Sequence, residues 1–76
     1  MKVLIVAQGI HPLTIDLALG MLFSDLDDLA GEEEEIEPNV FIGKKTKIDF
    51  TMPEADKEEV RKIIKRYITV EKIEID

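Results

Sequence analysis

Val40-Phe41-Ile42-Gly43-Lys44-Lys45-Thr46-Lys47-Ile48-Asp49-Phe50-Thr51-Met52 decides the fold, because it sets a hairpin between two helical patterns. Ile48, Phe50 and Met52 alternate with polar residues, the period of a strand with one buried face. Gly43 and the lysines after it break the run where a turn is needed, so two strands joined by a basic tip are expected.

Downstream, Asp56 and Glu59 stand three residues apart, a capping-box-like pair that starts a helix near Lys57. Val60, Ile63, Ile64 and Tyr67 recur at helical spacing, with Glu58 and Glu59 first and Lys65 and Arg66 last, as the helix dipole prefers. Val70 to Ile75, with Ile73 and Ile75 on one side, reads as a last strand. Upstream, Lys2 to Ala7 is rich in Val and Ile at consecutive positions, which suits a strand covered on both faces or central in its sheet. Ile15, Leu19, Leu22, Leu26 and Leu29 then form a helical stripe that begins at Pro12 or Leu13. Gly31 stands where a left-handed cap would end that helix near Ala30. Leu17, Ala18 and Met21 widen the stripe, so the first half of this helix is expected to be well buried. The stretch 31–39 has no apolar period and reads as an acidic mobile loop.

The resulting order, β-α-β-β-α-β, resembles the ferredoxin-like arrangement. It implies an α+β fold with two helices on one face of a four-stranded, mainly antiparallel sheet, its first and third strands central. Seventy-six residues leave room for a single domain, 1–76, with one core. A chain this short is normally helped by disulfides, a metal or a partner. The absence of cysteine closes the first route, removes thiolate chemistry and fits a cytoplasmic setting. Gln8 and Gly9 interrupt the N-terminal apolar run too early for a signal peptide, and Asp16 interrupts the next, so no membrane span is expected.

The net charge of −7 opposes nucleic acid and anionic lipid as partners. Between Asp25 and Glu37 lie eight carboxylates and no Lys or Arg, while the other residues carry nine acids and ten bases. The excess is therefore local. Asp25, Asp27 and Asp28 occupy the last turns of the first helix, where unpaired carbonyls already present negative charge, an unfavourable placement of about 0.3–1 kcal/mol each. Hard cations take carboxylate and carbonyl oxygens, so Asp25, Asp27, Asp28, Glu32, Glu33, Glu34 and Glu35 form a candidate ligand pool for calcium or magnesium. The spacing is not that of an EF-hand, since the twelfth residue from Asp25 is Ile36 and from Asp27 is Pro38. A solvated loop that aids solubility, or an acidic patch for a basic partner, is the competing reading.

His11 follows the first strand, where such loops often carry active groups, but it has no serine, cysteine or carboxylate poised beside it in sequence and reads as structural. Gln8-Gly9 lacks the glycine spacing of a phosphate loop. Lys44, Lys45 and Lys47 read as guards of an edge strand, and Arg61, Lys62, Lys65 and Arg66 as a solvated helix face with no aromatic residue for RNA stacking. The loop Gly9-Ile10-His11-Pro12-Leu13 and the element order resemble regulatory ACT domains, although the ACT pattern has a glycine where this chain has Leu13. That resemblance implies a ferredoxin-like domain that dimerises and binds a small ligand near His11. The acidic end of the first helix is similar to that of small uncharacterised archaeal α+β proteins thought to bind calcium. The chain is thus expected to be no enzyme. It is read as a cation-binding protein or as a regulatory, interaction-type homodimer.

Overall fold

The computed structural model describes residues 1–9, 11–31 and 37–76. Its elements run β1 (Lys2–Gln8), α1 (Pro12–Ala30), β2 (Asn39–Ile42), β3 (Lys45–Thr51), α2 (Lys57–Tyr67) and β4 (Val70–Ile75). The strands form one antiparallel sheet in the order β2-β3-β1-β4, so the fold is α+β and consistent with the ferredoxin-like arrangement. The β1/β3 pairing sets Val3 opposite Phe50 and Ile5 opposite Ile48. These residues point to the helix side and are fully or almost fully buried.

Strand period and helix period meet in one core. Val3, Ile5 and Ala7 from β1 and Ile48 and Phe50 from β3 receive Ile15, Leu19, Leu22 and Leu26 of α1 and Val60, Ile63 and Ile64 of α2. Phe23 meets Phe50 edge to face, with ring centroids 5.1 Å apart and planes at 79°, a favoured aromatic geometry. The consecutive apolar residues of β1 belong to a central strand, and only one of its faces is covered. Leu4 and Val6 point to the open face and are half-buried by their cross-strand neighbours.

Both helices end as their caps dictate. Gly31 adopts φ 66°, ψ 27° and its N–H donates to the Asp27 carbonyl at 2.8 Å, the left-handed stop expected there. Asp56 caps α2 by accepting from the Glu58 and Glu59 amides at 2.9 and 3.2 Å. The Glu59 carboxylate turns instead to Lys62, 3.6 Å away.

The two borders of the sheet are built differently. β4 carries an irregularity where its register with β1 shifts between Val6 and Ala7, leaving Glu71 out of step. Glu71 accepts from Gln8 Nε2 and pairs with Lys45 at 3.0 Å, while Lys72 pairs with Glu74 at 2.7 Å. β2 is Asn-Val-Phe-Ile, with no charge, no proline, and Val40, Phe41 and Ile42 all exposed. The lysines read as edge guards lie elsewhere: Lys45 and Lys47 are on β3, inside the sheet.

Candidate functional site

α1 is where local chemistry and structure disagree. Its buried side is the stripe Ile15, Leu19, Leu22 and Leu26. At 3.6 residues per turn Leu17 falls roughly 200° from Ile15 and from Leu19, on the side facing away from the sheet. There Leu13 is 69% exposed, Leu17 72% and Met21 53%. The expected burial of the first half of α1 is thus met on one side only, because two helices over one sheet make a single layer and nothing among the described residues overlies α1. Ala18 is half-buried as part of the widened stripe, and Leu29, 38% exposed, escapes the core at the far end. Gly20 also faces open space, since a Cβ built there would meet no atom within 4 Å.

At the N-terminal end, His11 caps the helix, its Nδ1 accepting from the Leu13 amide at 3.2 Å, with Pro12 supplying a ready-made first turn. The structural reading of His11 agrees with this contact. The first turn of α1 holds no acidic residue and the last turn no basic one, the reverse of what the helix dipole favours. Beside this N-terminus the hairpin tip approaches Gly9, whose added Cβ would lie 3.2 Å from the Lys44 carbonyl oxygen, so the exposed Lys44 belongs to the same end of the molecule.

At the C-terminal end the three aspartates separate. Asp25 turns to α2: its Oδ2 accepts from Arg66 Nη1 at 3.2 Å and from the Tyr67 hydroxyl. That bond to the Asp25 carboxylate, with burial second, pushes the Tyr67 hydroxyl above its ordinary pKa of 10.0, because a tyrosinate would face the carboxylate. Asp27 projects roughly 200° around the helix from Asp25, and its Oδ1 is shielded from solvent without a hydrogen-bond partner among the described residues. Asp28 is exposed and shares the outer side with Leu17 and Met21. Among the described residues no group of three or more His, Asp or Glu could hold a metal ion. Glu32, Glu33, Glu34 and Glu35, the rest of the candidate ligand pool, lie outside the described residues, as does most of the loop expected to be mobile.

Among the described residues, five of the ten Lys and Arg make ion pairs, Lys72 with Glu74 being one. Arg61 pairs with Glu58 at 3.0 Å, Lys62 with Glu59, Arg66 with Asp25 and Lys45 with Glu71. Phe41, 67% exposed, sits directly opposite Lys47 on the open face of the sheet, an aromatic neighbour that the sequence spacing did not disclose. An open depression of about 260 Å³ on that face, between Lys2, Leu4, Glu74 and Asp76, brings together no constellation of acid, base and nucleophile. No described helix is long and apolar enough to cross a membrane. No family model, no curated protein and no solved structure matches the chain.

The apolar outer side of α1 was readable in principle. From Pro12 to Phe23 the only charge is Asp16, and a helix apolar all round normally has neighbours all round.

Proposed function

We propose that this protein is a non-enzymatic interaction domain that works as a homodimer, with the outer face of α1 as its interface. The observation that carries the reading is the stripe Leu13, Leu17, Met21, three large apolar side chains more than half exposed on one side of a helix. A second copy suits the stripe because Leu13, Leu17 and Met21, spaced four and four, are self-complementary about a twofold axis at Leu17. A standard interface buries about 800 Å² per partner, more than three side chains supply, so the dimer is weak and reversible. Sedimentation equilibrium checks this. The average mass should climb towards twice 8.7 kDa as concentration rises, and Leu17→Gln should hold it at one chain with an unchanged circular-dichroism spectrum. A wild-type chain that keeps a single mass into the millimolar range removes the reading.

A second reading is supported by Asp27 Oδ1, which has no partner among the described residues: a calcium or magnesium ion held by Asp27, Asp28 and glutamates of 32–35. Amide NMR titration with calcium against a sodium control tests it. Resonances of Asp27, Asp28 and Gly31 that do not move in millimolar calcium end it.

A further inference from the structure

We infer that the outer border of β2 pairs with β2 of a second copy, antiparallel about a twofold axis at Phe41, so that the two sheets become continuous. This contact lies on a different part of the molecule from the α1 face and does not rest on it. The backbone names the class of occupant. Gly43 N–H donates to the Lys45 carbonyl at 3.2 Å, and because ladder bonds alternate, Asn39 and Phe41 aim their N–H and C=O at β3 while Val40 and Ile42 aim theirs outward. β2 is a border strand, and among the described residues nothing beyond the sheet bonds to those outward groups, so an extended strand is what satisfies them. The border at β4 does not offer the same template, because Glu71 is out of step there and Lys72 and Glu74 are charged.

Register and charge select a second copy. Opposed residues share a side of the sheet, and with the axis at Phe41 each Val40 meets Ile42 of the other copy, Phe41 meets Phe41, and every outward N–H finds an outward carbonyl. All the exposed apolar side chains of β2 are then matched. Moving the axis to Val40 would set Ile42 against Pro38, which has no N–H to give. In the Phe41 register Asn39 is level with Gly43 of the other copy, so Pro38 and Glu37 run past the turn that carries Lys44. Glu37 and Lys44 are both exposed, and neither makes an ion pair among the described residues. Parallel pairing would instead set Glu37 beside Glu37 and Lys44 beside Lys44.

Four residues a side fall far short of the about 800 Å² per partner of a standard interface, so the pairing is brief and is read by covalent trapping. The chain has no cysteine, and the trap is set in Leu17→Gln to keep the α1 face out of the readout. Under oxidation Phe41→Cys should cross-link about tenfold faster than Val40→Cys or Ile42→Cys alone, whose counterparts lie two residues out of register and beyond disulfide reach. A mixture of the last two should give the mixed dimer in excess over either homodimer. Equal rates for the three single variants, or an excess of 40–40 and 42–42 products, would overturn the arrangement. All three positions are exposed, and an unchanged circular-dichroism spectrum checks that each variant folds. Glu37→Lys supplies an independent readout. It lowers the net negative charge, so general repulsion alone would speed the Phe41→Cys cross-link. Pairing at Phe41 predicts a rate lower by about 3- to 10-fold, restored when Lys44→Glu is added. A faster Glu37→Lys cross-link would overturn the arrangement.

Discussion

The two helices of this small fold answer the same physical rules in opposite ways. α2 has acids in its first turn, bases in its last, an aspartate cap, and its large apolar residues Val60, Ile63 and Ile64 in the core. α1 has no acid at its start, acids at its end, a histidine cap, and large apolar residues on both its inner and outer sides. Both lie on the same sheet and contribute to the same core. α2 is complete within one chain. α1 satisfies the core with one side and leaves Leu13, Leu17 and Met21 exposed on the other.

That contrast can be broken most sharply by comparing the two sides of α1 itself. Leu22 is fully buried, so Leu22→Ala should cost about 2–5 kcal/mol in denaturant unfolding. Leu17→Ala at concentrations where the chain is monomeric should change stability by no more than about 0.5 kcal/mol. Equal costs would mean that Leu17 is packed and that the outer side is not a surface. A smaller effect separates the caps. Asp56→Ala should destabilise by about 0.5–2 kcal/mol, whereas His11→Asn, which puts a preferred capping residue on α1, should raise the melting temperature slightly.

The smallest expected effect concerns the clasp between the helices. Since the Tyr67 pKa is raised in the folded chain, its contribution to stability is complete below about pH 10 and is lost as pH rises through the folded value. An ultraviolet titration should place ionisation of Tyr67, the only tyrosine, above 10.0 in the wild type and nearer to it in Asp25→Asn. An unchanged titration in that variant would show that Asp25 does not hold the hydroxyl.

Most of the architecture was legible because it is written in local periods. The alternation Ile48, Phe50, Met52, the stripe Val60, Ile63, Ile64 and the stop at Gly31 each follow from a few adjacent residues, and the structure keeps them. What escaped depends on residues far apart in the chain. Asp25 looked available to a cation, yet it is held by Arg66 and Tyr67, 41 and 42 residues later. Lys45 looked like an edge guard, yet β3 lies inside the sheet and Lys45 reaches Glu71 across β1. For α1, the stripe Ile15, Leu19, Leu22 and Leu26 named the side that meets the sheet; what periodicity could not say is whether Leu17 and Met21, which widen it, would be covered as well. Only the number of layers decides that.

The unequal borders of the sheet also limit how far this chain could go wrong. Runaway cross-β growth needs a free template on both flanks, so that each newcomer presents a fresh one. Here the displaced Glu71 and the charged pair Lys72 and Glu74 spoil one flank, and among the described strands Asn39–Ile42 is the border left to recruit another. Two molecules joined there would turn their spoiled flanks outward, and elongation into a fibre would halt at the first addition.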